Sequence, residues 1–255
     1  VLHPVIVESS TTMQQLEIYV TGTGTAIHPA ERGILKVKAQ SQELRTTEEA
    51  SKTVTITANK IRDIIAPHCP QDEQTGRTKS DAAISHYSMS TLETHSKLTA
   101  RPREKDEEVI YDTTYSATAE YTIKFSDFSL LDSLASKLAA MKNVKIDRLT
   151  WALTDDTRKS LMGGVRIRAA QDAMQRARDY AEAFTGLSAE ETTTRVKAKE
   201  AKEQNNNYCS STRPKLHYGK RQRAYGKVEE TSELQFQPED VRLEVRVDCK
   251  FAIDV

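Results

Sequence analysis

Cysteine is scarce in this chain. Among 255 residues it occurs three times, as Cys69, Cys209 and Cys249, and no two of these form a CxxC pair. An odd, widely spaced set makes a poor disulfide framework and points to a reducing compartment. Aromatic residues make up only 6%, with a single tryptophan. An excess of one charge sign is also missing, since Lys plus Arg number 37 and Asp plus Glu number 37. That balance argues against a globally basic nucleic-acid binder and against a polybasic membrane-surface protein. No apolar run reaches the roughly 20 residues needed to cross a bilayer as a helix. Residues 1–12 lack the basic start and apolar stretch of a secretory signal, so the expected location is cytoplasmic. The first residue is Val1, not Met, which leaves room for an upstream segment.

The residues that are present suit a polar, folded chain. Charged residues make up 29% and hydrophobic ones 37%, and the mean hydropathy is −0.62. A chain of this length buries most of the surface that its unfolded form exposes, so the aliphatic residues suffice for a core.

Residues 1–14 read as a flexible lead, and residues 15–255 as a single domain. Leu16, Ile18, Val20, Gly22 and Gly24 alternate with polar residues, a period of two that marks a strand with one buried face. His28-Pro29-Ala30-Glu31-Arg32-Gly33 reads as a turn. Leu35, Val37 and Ala39 alternate next, so residues 16–27 and 33–44 are expected to pair as an antiparallel hairpin. Thr46 to Glu49 has the form of a capping box, opening a helix to about Ala66 with a stripe of Val54, Ala58, Ile61 and Ile65. A long strand is expected over 82–99. It is followed by a charged turn and a strand carrying Tyr115, Ala117, Ala119, Tyr121, Ile123 and Phe125.

Ser126 or Asp127 caps the next helix, with a stripe of Leu130, Leu134, Leu138 and Met141. Val144 to Thr154 reads as a strand whose apolar set changes phase between Ile146 and Leu149, as a β-bulge would produce. The longest helix runs from about Thr157 to Thr185. Its stripe is Leu161, Val165, Ala169, Ala173, Ala177, Tyr180 and Phe184, and Gly186 closes it. Residues 192–200 read as a short strand and 201–237 as an extended loop. Val241 to Ile253 reads as a last strand with a dry and a wet face. The fold class is α+β: an antiparallel sheet built from repeated ββα-like units, 16–66 and 82–142, with helices packed on one face.

The candidate sites are few. Gly22-Thr23-Gly24 lacks the third glycine of a dinucleotide fingerprint, because position 27 is Ile27, and reads instead as close backbone approach within a sheet. The histidines His3, His28, His68, His86, His95 and His217 show no metal-ligand spacing, and a regular strand puts His86 and His95 on opposite faces. Cys249 reads as a small buried hydrophobe. Cys209 lies in the long loop, where Arg213 is the one nearby group able to lower its pKa. Asp155 and Asp156 read as helix-terminal acids. Gly163-Gly164 marks either a kink in the long helix or a close contact with another subunit. No catalytic, cofactor-binding or metal-binding residue is assigned.

The one basic-aromatic cluster is Lys215, Tyr218, Lys220, Arg221, Arg223, Tyr225 and Lys227. It offers a partner-binding segment, a nuclear-import segment, or a phosphate- and base-binding patch, beside the plainer reading of a solvated loop.

Taken together, these segments resemble the SIMPL-domain family. That family includes bacterial periplasmic immunogenic and oxidative-stress-defence proteins and a eukaryotic protein that binds a Pelle-like kinase. The residues carrying the resemblance are Tyr19-Val20-Thr21-Gly22-Thr23-Gly24, Pro29 to Val37, Tyr115-Ser116-Ala117 through Ile123, Ala169 through Ala181 with Gly186, and Pro238 to Phe251. The order is the family's, over roughly residues 16–254. The chain departs from the pattern at Pro238-Glu239, where the family's last turn carries Pro-Gly, and in its long segments 68–81 and 201–237.

The resemblance implies ring-like self-assembly or contact with a kinase-type signalling partner, and carries over no catalytic residue. The function expected is therefore a non-enzymatic protein-interaction and self-assembly module in signalling or stress response, without a cofactor. The alternatives are a stress-related redox protein or enzyme using Cys209 or an unrecognised pocket, and nucleic-acid binding through residues 215–227.

Overall fold

The computed structural model describes residues 15–100, 111–204, 208–211 and 234–254. Within them the α+β class holds, with antiparallel sheets and four α-helices. The flexible lead expected over 1–14 and the basic-aromatic cluster at 215–227 lie outside the described residues. The chain divides into two compact units, one drawn from 1–28, 155–210 and 242–255, the other from 29–154 and 211–241.

The first unit holds strand β1 (Gln15–His28). The second holds β2 (Arg32–Gln40), α1 (Thr47–Ile65), β3 (Ile84–Met89), β4 (Glu93–Ala100), β5 (Tyr111–Phe125), α2 (Phe128–Ala139) and β6 (Val144–Ala152). The chain then returns to the first unit with α3 (Asp155–Thr185), α4 (Ala189–Arg195), β7 (Lys197–Glu203) and β8 (Tyr208–Ser211). Strand β9 (Val241–Asp254) completes that unit's sheet.

In the second unit the sheet order is β3-β5-β2-β6, with β4 also pairing β5. Leu35 faces Ile123 and Val37 faces Tyr121, so the apolar parity of both strands falls on one face. Helices α1 and α2 cover that face through Val54, Ile61, Ile65, Leu131, Leu134 and Leu138, all buried. Thr46 Oγ1 accepts from the Glu49 amide at 3.3 Å, and Asp127 Oδ1 accepts from the Ser129 and Leu130 amides, which fixes where each helix starts. The Tyr121 hydroxyl donates to the Ala58 carbonyl at 2.9 Å inside the core.

Several expectations are corrected here. β1 and β2 do not form a hairpin: they belong to different sheets. Alternation identifies a strand but not its neighbour. The strand expected over 82–99 is broken at Ser90–Leu92 into β3 and β4, which pair with successive stretches of β5. Residues 192–200 are not one strand, because the Ser188–Glu191 capping box builds α4 before β7 begins. The loop expected at 201–237 carries the end of β7, all of β8, and Phe236, which packs on the core while its amide donates to Asp132 at 3.1 Å. The bulge in β6 is present, between the pairs Lys36–Arg148 and Val37–Ile146.

In the first unit β9 lies between β1 and β7, and β8 also pairs with β9. Leu243, Val245, Val247, Cys249, Phe251 and Ile253 are buried on one parity of β9. The buried stripe of α3 is Met162, Val165, Ala169, Ala173, Ala177 and Ala181. Tyr180 and Phe184, expected in that stripe, are exposed and stack on each other with centroids 6.1 Å apart. Steps of four hold the small residues in one row along the helix, and that row leads to Ala181 rather than Tyr180.

Candidate interaction surface

The glycine pair explains why α3 needs alanine. A Cβ on Gly22 would lie 2.1 Å from the Ala169 carbonyl oxygen, and one on Gly24 would lie 2.0 Å from that of Val165. Helix backbone rests directly on strand backbone, so Gly22 and Gly24 serve packing and not phosphate binding. Along the edge of β1 that pairs with no strand among the described residues, Asp172 Oδ2 accepts from the Thr23 amide at 2.8 Å, and Arg168 Nη1 donates to the Thr25 carbonyl at 2.6 Å.

Among the described residues no helix covers the other face of this sheet. Lys250 Nζ lies 2.8 Å from Glu17 Oε1 and 5.3 Å from the centroid of the Tyr19 ring, a cation–π position. The Tyr19 hydroxyl donates to Glu17 at 3.0 Å. One step along, Thr21 Oγ1 donates to Asp248 at 2.7 Å, and Gln204 Nε2 donates to both Asp248 oxygens at 3.0 Å. As the position on β1 falls by two, its partner on β9 rises by two, as antiparallel neighbours require. A shallow depression of about 380 Å³ lies over Tyr19, Thr21, Lys202, Asp248 and Lys250.

These groups are fixed ions. The Lys250 ammonium and the Tyr19 hydroxyl hold the Glu17 carboxyl below its ordinary range. Gln204 and Thr21 do the same for Asp248. Bonding to Glu17 and Tyr19 raises Lys250 above the usual lysine value. The arrangement can bind complementary polar groups, and it is poorly suited to exchanging protons near neutral pH.

The open face of the second unit's sheet carries a ladder of alternating charge. Lys36 pairs with Glu120 at 2.8 Å, and Lys38 pairs with Asp147 at 3.2 Å and with Glu120 at 3.8 Å. Lys124, Lys145 and Arg148 have no ion-pair partner among the described residues. A depression of about 550 Å³ is lined by Lys38, Glu93, His95, Glu120 and Lys145.

The remaining candidates fall elsewhere. His86 aligns with Lys124 and His95 with Ser116, so both share the open face, contrary to the expectation for an unbroken strand. They are separated by about eight residues of β5, roughly 27 Å, too far to share a ligand. Among the described residues no group of three metal-ligating side chains is found. Cys69 and Cys249 are buried free thiols, and burial, helped by Asp248, pushes the Cys249 thiol up in pKa. Asp155 and Asp156 sit in the first turn of α3. A Cβ added at Gly163 or Gly164 meets nothing within 4 Å. The side chains of the seven residues from Lys215 to Lys227 lie outside the described residues.

Sequence reasoning missed both polar networks. Their members were visible as the wet parity of each strand, but the pairing of Thr21 with Asp248 spans 227 positions and leaves no local signal. No helix among the described residues is long and apolar enough to cross a membrane. No curated protein sequence matches the chain. The SIMPL family model, described as "Protein of unknown function (DUF541)", matches residues 18–251, and the chain belongs to that family.

Proposed function

We propose that the chain is a non-enzymatic interaction and self-assembly module that works through its open sheet surfaces. The observation that carries this reading is the state of its polar groups. Both depressions are open to solvent, and half of the charged residues lining them, Lys38, Glu120, Asp248 and Lys250, are already bonded to neighbours. Every resolved pKa shift among the described residues moves its group away from neutral pH. Glu17, Glu43, Asp72, Asp172, Glu191 and Asp248 go down, while Tyr121, Cys249 and Lys250 go up. General acid–base catalysts are tuned in the opposite direction, toward the working pH.

The two buried free thiols support a cytoplasmic, reducing setting. By the family resemblance that setting is signalling or stress response, with a kinase-type protein as a further partner. Light scattering on the purified chain tests the self-assembly part. The expected mass rises above 28.6 kDa as concentration increases, and a mass that stays at 28.6 kDa throughout contradicts it.

A further inference from the structure

Strand β6 forms one edge of the second unit's sheet, and among the described residues no strand pairs with its far side. Its register with β2 fixes which way each residue faces. Leu149 and Trp151 align with Leu35 and Gly33, and Ile146 and Val144 align with Val37 and Ala39, so these four face the core. Arg148, Thr150 and Lys145 align with Lys36, Ile34 and Lys38, and face outward. Asp147 is the extra residue of the bulge, and its carboxylate meets the Lys38 ammonium on the outer face. From Val144 to Trp151 the facing therefore reads in, out, in, out, out, in, out, in. The pattern is the same in both directions, and only the bulge makes it so.

A strand with that symmetry can pair with a copy of itself. We infer that a second copy of this chain lays its β6 antiparallel against this β6, with Val144 opposite Trp151, Lys145 opposite Thr150, Ile146 opposite Leu149, and Asp147 opposite Arg148. This rests on the self-assembly reading above and names its surface.

Three observations converge on this register. It is the one full-length alignment in which core-facing residues meet core-facing residues at every position. Shifting the copy by two residues in either direction sets Asp147 against Ile146 or Arg148 against Leu149. The pairing also brings each Asp147 carboxylate beside an Arg148 guanidinium, twice across the dyad, as an isologous contact requires. Arg148 has no ion pair of its own among the described residues, while Lys145 meets a neutral threonine. Finally, Val144, Ile146 and Leu149 are only partly buried where they meet the core, and a continued sheet covers them. Bulges and charges on an edge also serve to prevent pairing. Here they exclude every register but one, which makes the edge selective for its own kind.

The test uses the full chain with Cys209→Ser as background and the double variant Lys145→Cys/Thr150→Cys. The two new thiols lie about five residues apart on one strand, roughly 17 Å, beyond disulfide reach within a chain. Oxidation is expected to give a covalent dimer, and the single variants Lys145→Cys and Thr150→Cys, each of which would sit about five residues, roughly 17 Å, from the same position of the copy, are expected to stay monomeric. Asp147→Arg should weaken association by about tenfold or more, and Asp147→Arg/Arg148→Asp should restore it. Cross-linking of either single variant as readily as of the double variant overturns the register. Light-scattering dimers that neither cross-link nor respond to the charge changes overturn the edge pairing and leave self-assembly standing. A monomer at every concentration overturns both.

Discussion

The carboxylate of Asp172 accepts a hydrogen bond from the backbone amide of Thr23 at 2.8 Å. One helical turn earlier, Arg168 donates to the Thr25 carbonyl. A backbone donor and a backbone acceptor of β1 are thereby satisfied from the helix that covers its face. Asp172→Asn removes the charge from this contact and the ion pair with Arg176 at 3.1 Å. A loss of about 1 kcal/mol is expected in urea denaturation at pH 7. The Thr23 amide, foremost, holds the Asp172 carboxyl below its ordinary value. Its stabilisation is therefore present above the unfolded pKa, about 3.9, and is lost as pH falls through the lower folded value. The gap between wild type and variant should close in that acid window, and a gap constant with pH would contradict the assignment.

The glycines separate into two groups with opposite expected signs. Gly22→Ala and Gly24→Ala each drive a Cβ into helix backbone, which cannot rotate away, and should destabilise by about 3 kcal/mol or more. Gly163→Ala and Gly164→Ala meet open space inside a helix and should stabilise by up to about 1 kcal/mol each. Thermal melts of the four single variants decide it. Destabilisation by the α3 substitutions would mean that this helix face is occupied.

Much of the fold was legible because alternation and capping are local. Leu35, Val37 and Ala39 announced β2, Tyr121 to Phe125 announced β5, and the phase change from Ile146 to Leu149 announced the bulge. Pairing was not legible where it depends on distant chain. Nothing near Gly22 says that β1 belongs with β9, and nothing near Tyr180 says that the row of alanines excludes it. The polar surface was legible only as wet parity. Which ions meet was settled by register, as with Lys36 and Glu120.

Within the core, Tyr121→Phe removes the hydroxyl that donates to Ala58. Ring packing is kept, so the expected loss is about 1 kcal/mol by chemical denaturation, with no change in the dependence on denaturant. A loss near zero would mean that the hydroxyl makes no net contribution.

The thiols offer a check on the redox alternative. Cys69 and Cys249 are buried, and Cys249 is shifted toward the inert thiol form. With three cysteines in all, a native aromatic-disulfide titration at pH 8 should find at most one fast thiol, and a denatured one should find all three. Fast native reaction at Cys249 would reopen a redox role.

Self-assembly through β6 requires that sheet surface be covered by another copy of the chain. Amide hydrogen exchange of the intact chain, at concentrations below and above association, reads this directly. Slower exchange is expected within Val144–Ala152, with the interior of α1 unchanged. Identical exchange along β6 at both concentrations, in a sample that has associated, would contradict the edge pairing, and no concentration dependence anywhere would contradict self-assembly itself.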